Sequence, residues 1–572
     1  MRYNLDVKLP KKLFKKIRSK VKQIIKNKDK KQSLFRYTFF ALCFIFSAWL
    51  MWFTFQYKDG QFVMRSRLWS DFAAHIPMIR SFSFGRNFPP EYPQFANEPT
   101  RYHFLFYMIV GLFEKVGFNL AFSLNLLSAL GFGLLLIMIF KFAEYFFGKR
   151  KKGAIIAGVF AVVFFLFNSS LSYVDFFQEN GISLQSIASI VQIDQFLNFG
   201  PWNGDDISAF WNWNVYTNQR HLGLSFALSL LAIWPLITIT NKERLGKKKA
   251  FFICLIFISL PFINLAAYVV AVSMVVFWLL MNPGLIRKYA LKYFFFLAIS
   301  VPSFYYYWRL GSGSVTFSLG FLAKDQNLWN IVYYWWRNLG LYILFWPGLL
   351  IVSNNKLRKW LIMTTCFFVV ANLFQLSTDM INNHKLINFF QLGMAVTLGV
   401  LFARLWHKSL LAKILIFLIT PFFILSGIMD ASAIIHDRQT MLRDSVESEL
   451  GKWLIQNTKP DSVFITTQYL YNPVLLVGRK TYLDYGYFAW SMGYHDQARR
   501  EKLPLIFSPM IKKDDWCQLL QQEKIDYIYI SQGNGDLSID PRNSWLVGNN
   551  RPIYDDGDDL IFSIKEVCLF QN

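Results

Sequence analysis

Asp71 stands in the segment LWSDFAAHIPMIRSFS (68–83), four residues before His75. On a helix that spacing puts a carboxylate and an imidazole on one face, so Asp71 could orient His75, share a metal ion with it, or take a proton from an approaching hydroxyl. The plainer alternative is an interfacial carboxylate satisfied by Arg67 or by water. A second group lies in QLSTDMINNHKLINFF (375–390), where Asp379, Asn382, Asn383, His384 and Lys385 crowd one short turn between apolar runs. Lys385 suits a phosphate as a point charge, and Asn383 suits a sugar hydroxyl or a phosphate oxygen. A snorkelling lysine beside turn-forming asparagines is the competing account. The third group is Gln219, Arg220 and His221 in TNQRHLGLS (217–225), with Arg220 either a phosphate fork or an interfacial anchor. Gly478 and Arg479 precede the aromatic stretch TYLDYGYFAWSMGYHDQARR (481–500), which could line a saccharide groove or cap a membrane cavity, or serve ordinary packing. The acidic run YDDGDD (554–559) lacks the spacing of a calcium loop and reads as a solvated turn.

The elements that must position these groups belong to a membrane protein. Of 572 residues, 54% are hydrophobic and 19% aromatic, and the mean hydropathy is +0.29. That excess over a soluble chain calls for lipid as the second solvent. The net charge of +24 does not point to nucleic acid. Fourteen Lys/Arg fall in residues 1–36, and further basic clusters at 149–152, 242–249, 287–288, 356–359 and 404–408 sit between apolar runs, as the positive-inside rule expects of cytoplasmic loops. Spans are expected near 35–55, 119–147, 153–169, 222–240, 250–262, 264–282, 293–308, 331–353, 358–376, 387–405 and 411–429. The stretch 250–282 is split at Pro261, because an even number of crossings puts its flanking basic clusters on one face.

About eleven spans with the N-terminus inside predict an α-helical polytopic protein with three parts. These are a basic cytoplasmic segment (1–34), a membrane domain (35–430) with large outer loops at 56–118 and 170–221, and an outer α/β domain (431–572). The last part carries 19 Asp/Glu against 15 Lys/Arg, and alternates helix-like RDSVESELGKWLIQNT and KKDDWCQLLQQEK with strand-like SVFITT and IDYIYIS. Six of the seven histidines, all but His407, fall on the outer face. Cys517 and Cys568 could pair if that face is oxidising, whereas Cys43, Cys254 and Cys366 read as buried small hydrophobes. Helices are expected over 68–83 and 101–117 in the first loop, with a turn-rich connector between them. No Walker A loop, GxSxG elbow, HExxH, CxxC pair or helix-opening GxGxxG is present, so a soluble nucleotide is not the expected donor.

One span followed by a long loop that opens with WSDFAAHIPMIRSFS resembles the GT-C superfamily of integral-membrane glycosyltransferases. The segments WNVYTNQRHLGLSFAL, FQLSTDMINNHKLINFF, SGIMD and NPVLLVGRKTYLDYGYFAWSMGYHDQARR look like a bacterial branch of it. The resemblance implies transfer of a sugar from a polyprenyl-phosphate carrier to a lipid-linked glycan or protein acceptor at the outer face of the cell membrane. It makes Asp71 the catalytic base or metal ligand, with Arg220, His221 and Lys385 as donor-phosphate candidates by position. His75, His103, Asp379, Asn383, His384 and Arg479 are the candidates for substrate contact. Many members pair two acidic residues in the first-loop motif, but Ser70 and Phe72 flank Asp71 here. A divalent cation (Mg or Mn) held by Asp71 and His75 is therefore an open option rather than a requirement. The competing classes are a transporter or flippase of a lipid-linked or polar solute, and a non-catalytic scaffold; few charges deep in the spans weigh against transport.

Overall fold

Hydrocarbon offers a backbone amide no partner, so an apolar run that enters it must close its own hydrogen-bond ladder as a helix. In the computed structural model every apolar run named above is helical. The structure describes residues 11–148, 153–168, 170–200, 203–239, 245–311, 315–466, 470–531 and 540–569, with backbone alone for 11–29. The basic cluster at 149–152 and the Lys242–Arg244 part of that at 242–249 lie outside the described residues, while Lys247, Lys248 and Lys249 open the helix Lys247–Ile263.

Four helices among the described residues are long and apolar enough to cross a membrane unaided: Lys30–Thr54, Leu120–Phe147, Met380–Trp406 and Leu410–Ile435. The chain therefore belongs to the membrane, but eleven full-length spans are not present by that measure. Ala154–Leu166, Leu222–Thr238, Leu265–Leu280 and Leu341–Val352 are apolar but shorter. Two expected boundaries also move. Residues 331–353 are not one helix: Leu328–Leu339 and Leu341–Val352 are separated at Gly340, where φ is 51°. In 250–282 the break is Asn264 and not Pro261, which sits inside Lys247–Ile263. The Asn264 side chain accepts from the Ala267 N–H at 2.9 Å and so starts the next helix itself.

The helix Met380–Trp406 runs through the middle of the bundle with its apolar window wholly buried. Close approach makes that possible: a Cβ at Gly399 would lie 2.6 Å from the Ala161 nitrogen. The C-terminal end of the first apolar helix meets the N-terminal ends of Leu120–Phe147, Leu222–Thr238 and His384–Trp406 through Thr54, Asn125, Arg220, Gln219 and His384. The exit of Leu410–Ile435 reaches the same face, where Asp437 accepts from Ser66 Oγ at 2.6 Å. Helices traversed in alternating directions give that arrangement.

A three-stranded sheet closes this face. Phe55–Lys58 and Gln61–Arg65 form a hairpin over Asp59 and Gly60, both at positive φ. Gln439–Arg443, from beyond the last apolar helix, adds antiparallel to Gln61–Arg65. Beyond it a five-stranded sheet runs in the order Tyr554–Asp555, Asp559–Ser563, Tyr527–Ser531, Val463–Ile465, Lys480–Thr481, and Cys517 and Cys568 are disulfide-bonded beside it. Its Ile465, Ile528 and Phe562 belong to one continuous buried cluster with Phe72, Ile76 and Tyr107 of the first loop. The region after 431 therefore packs as one body with the loop at 56–118.

Arg80 makes that joint specific. Its guanidinium lies 3.1 Å from Glu114 Oε1 on the second loop helix and 2.8 Å from Asp444 Oδ2, all three side chains being buried. Opposite it, Gly478 approaches so closely that a Cβ would lie 2.5 Å from the Arg80 carbonyl, and its φ of +82° suits glycine. Removing one member of a buried charge group strands the others, which costs about 3–5 kcal/mol. Arg80→Ala is expected to lose stability on that scale, read as a large fall in the midpoint of thermal unfolding of the detergent-solubilised chain, whereas alanine at exposed Arg86 leaves the midpoint within ~0.5 kcal/mol.

Candidate functional site

The helix expected at 68–83 is observed as Trp69–Ser83, with Asp71 in its first turn, where unpaired N–H groups favour a negative charge. Its start is held from the C-terminal region, since Tyr471 packs against Trp69 at 4.3 Å between tilted rings and donates to the Trp69 carbonyl at 2.5 Å. Asp71 itself makes no salt bridge and no side-chain hydrogen bond among the described residues. Lys385 and the phenols of Tyr102, Tyr107, Tyr471 and Tyr487 lie within its electrostatic reach. Burial pushes its carboxyl up to about 6, against the opposing pull of Lys385.

One turn on, His75 joins a cluster that the sequence did not connect. Its ring lies 5.0 Å from Tyr107 and 6.3 Å from His221. His103 stacks 4.0 Å from His221 and 3.6 Å from Tyr102, and the Tyr107 hydroxyl bonds His221 Nδ1 at 3.0 Å. Burial, reinforced by Arg220, drives the His75 imidazole down to about 3, and burial holds His103 and His221 well below the usual histidine range. These imidazoles are neutral at physiological pH. One nitrogen on each, His75 Nδ1, His103 Nε2 and His221 Nε2, is buried without a partner among the described residues, so each can give or take one hydrogen bond.

The turn at 377–385 brings Lys385 and Asp379 to this site. Lys385 donates to Asn382 Oδ1 at 3.0 Å and, among the described residues, has no carboxylate within salt-bridge distance. Asp379 caps the short turn through the Ile381 N–H and accepts from the Tyr487 hydroxyl at 3.0 Å, which bridges the membrane helices and the C-terminal region. His384 is held between Gln219 at 3.3 Å and Asn388 at 2.9 Å.

Three of the other sequence candidates hold backbone. Asn383 donates to the Ala371 and Phe374 carbonyls at 3.0 and 2.6 Å and shapes the turn. Arg220 is fully buried, reaching Thr54 Oγ1 at 2.9 Å, Asn125 Oδ1 at 3.2 Å and the Met51 carbonyl at 3.4 Å, and so closes the C-terminal end of the first helix. Arg479 binds Thr458 and the carbonyls of Leu454, Ile455, Val477 and Phe84, with no contact to the Asp71 cluster. Tyr102, Tyr107 and Tyr471 are not singled out by the sequence, whereas Tyr487 belongs to the aromatic stretch 481–500; the adjacency of Tyr102 and His103 before an apolar helix is the signal that finds two of them.

Magnesium and manganese need several oxygen ligands. Asp71 brings one carboxylate, its neighbours are imidazoles, phenols and an ammonium, and no three His, Cys, Asp or Glu side chains among the described residues converge as a metal set. The donor set does not fit such a cation.

The architecture has solved counterparts. The chain aligns with the arabinofuranosyltransferase AftD from Mycobacteria at a TM-score of 0.52 and 13% identity, over 92% of this chain and 41% of AftD. The fold is GT-C-like. ArnT from Cupriavidus metallidurans aligns at 0.49 and 11% identity over 94% of this chain and 100% of ArnT, and has also been solved with undecaprenyl phosphate. The oligosaccharyltransferase AglB from Archaeoglobus fulgidus, solved with an inhibitory peptide and a dolichol-phosphate, aligns at 0.46 and 10% identity over 87% of this chain and 70% of AglB. The chain thus spans about two fifths of AftD. No protein-family model and no curated protein sequence matches it.

A carboxyl whose pKa rises on folding binds protons more tightly in the native state, so its ionisation costs stability as pH climbs from about 4 to about 6. Asp71→Asn is expected to match wild type near pH 4 and to exceed it at pH 8 by on the order of 2–3 kcal/mol. Thermal unfolding of both chains in detergent across that range is the check.

Proposed function

We propose that this GT-C-like chain is a glycosyltransferase that moves a hexose or pentose from a polyprenyl-phosphate-linked donor to a hydroxyl of a lipid-linked glycan or protein at the outer face of the membrane. The observation that carries the reading is Asp71, among the described residues a carboxylate without an ion pair or side-chain hydrogen bond, opposite Lys385, which likewise has no carboxylate partner among them, where helix ends meet the outer loops. An unsatisfied pair of charges is costly to keep unless a ligand completes it. The fold shared with an arabinofuranosyltransferase agrees with the assignment.

The chemistry follows from the placement. Asp71 takes the proton of the acceptor hydroxyl as its oxygen attacks the anomeric carbon. The bond from that carbon to the phosphate oxygen breaks, and the departing lipid phosphate carries the electron pair. The Lys385 ammonium offsets that charge, and the unpaired nitrogens of His75, His103 and His221 offer neutral hydrogen bonds to sugar or phosphate oxygens. Asp71 has no second carboxylate beside it among the described residues, so proton abstraction and charge neutralisation fall to Asp71 and Lys385. A lipid carrier explains why the site lies at helix ends and why no nucleotide loop is needed. An N-terminus inside and a C-terminal region outside accord with the charge distribution and with the Cys517–Cys568 disulfide.

In proteoliposomes supplied with polyprenyl-phosphate sugars, mass spectrometry of the products should show transfer by the wild type. Asp71→Asn is expected to lower kcat by about 10²–10⁴-fold without loss of folded protein. Lys385→Met is expected to lower it about 10²–10³-fold. Since the base must be ionised, kcat/KM should rise with pH and level off above about 6. Full turnover by Asp71→Asn removes the carboxylate from the reaction, and solute uptake without any glycosylated product assigns the chain to transport.

A further inference from the structure

The short helix Gly486–Ser491, in the C-terminal region, touches through Tyr487 the turn that carries Asp379 and Lys385. Tyr485, Tyr487 and Trp490 are 41%, 47% and 46% exposed although each is a large aromatic, and all belong to one patch. The rings of Tyr487 and Trp490 lie 5.8 Å apart and those of Tyr485 and Tyr487 6.3 Å apart, and both tyrosines pack on buried Phe488. The patch is anchored in place: the Tyr487 hydroxyl donates to Asp379 at 3.0 Å, in the turn that also presents Lys385. Such exposure needs an occupant.

We propose that Tyr485, Tyr487 and Trp490 form the subsite that holds the saccharide of the acceptor, stacking on its C–H face while its hydroxyl reaches Asp71. The proposal rests on the transferase reading above and deepens it. The face of an aromatic ring is electron-rich, so it repels a phosphate and attracts the polarised C–H groups of a pyranose or furanose. The donor phosphate is therefore read at Lys385 and the uncharged acceptor at the aromatic patch, on either side of the bond to be made. The Tyr485 hydroxyl and the Trp490 indole N–H are polar groups that an acyl chain could not use and a sugar hydroxyl could, which favours a sugar over the bilayer as the occupant. The patch also belongs to the C-terminal region rather than to the membrane helices, so the acceptor is selected by the part of the chain that faces water.

The test uses the full chain in lipid nanodiscs and needs no turnover. Soluble tri- to pentasaccharides of mannan, glucan and arabinan are screened by saturation-transfer NMR against wild type, Trp490→Ala and Trp490→Phe. Saturable binding of at least one probe by the wild type is expected, weakened at least tenfold in Trp490→Ala and restored to within about threefold in Trp490→Phe. In parallel, Trp490→benzoylphenylalanine is photolysed in native membranes and the adduct identified by mass; a glycan adduct is expected. Equal binding by Trp490→Ala, no binding of any probe by the wild type, an adduct to phospholipid alone, or no adduct each overturns the subsite. If the saccharide binds while no polyprenyl-phosphate sugar is turned over, the donor assignment fails and the subsite stands.

Discussion

A guanidinium buried between two carboxylates is the constraint on which this molecule turns. Arg80 leaves the end of the helix that carries Asp71, Glu114 comes from the second loop helix, and Asp444 follows the strand that returns from the last apolar helix. None of the three can be solvated where it lies, so the charges hold one another or the joint opens. The parts they join are separated by most of the membrane domain in sequence. The strand pairing of Gln61–Arg65 with Gln439–Arg443 adds a second fastening a few residues away, with its backbone groups satisfied across the same seam. Asp71 thereby inherits its position from the C-terminal region, as its helix start does from Tyr471.

The electrostatic character of the site follows from desolvation rather than from pairing. Burial keeps the three clustered imidazoles uncharged, so among the described residues the one strong cation facing Asp71 is Lys385. A charged histidine cluster would compete with the lysine for an anion and would hold Asp71 ionised to lower pH. Neutral rings leave the carboxylate basic near neutrality while still supplying donors and acceptors. Arg220, which by residue type looked suited to phosphate, instead caps a helix terminus, and its charge helps to keep His75 neutral.

Much of this was legible from residue order. Apolar runs and their charge flanks locate the helices because hydrocarbon leaves the backbone no alternative, and the segments around Asp71, Arg220 and Lys385 do converge on one face. What sequence could not weigh is competition between local signals. Pro261 is tolerated inside a helix while Asn264, a better cap, ends it. Gly340 breaks the expected run 331–353 just after Arg337 and Asn338. The Asp59-Gly60 turn is a readable hairpin signal, but its neighbour strand lies near residue 440, and no local pattern announces a pairing that distant. For Arg220, Asn383 and Arg479 the sequence leaves a ligand-facing and a structural role open, and the backbone carbonyls that take their donors, visible only in three dimensions, decide for the structural one.

The seam between the first loop and residues 439–443 also bears on how the protein is made. Strand Gln61–Arg65 has one edge paired within its hairpin and the other reserved for a segment that leaves the ribosome on the order of 370 residues later, which is ~20–75 s at ~5–20 residues per second. Throughout that interval the nascent chain carries an open β-edge at the membrane surface, the kind of edge that invites pairing with another chain. Biogenesis thus has a window of vulnerability that closes when the partner strand emerges, and a translational pause within the later helices would lengthen it.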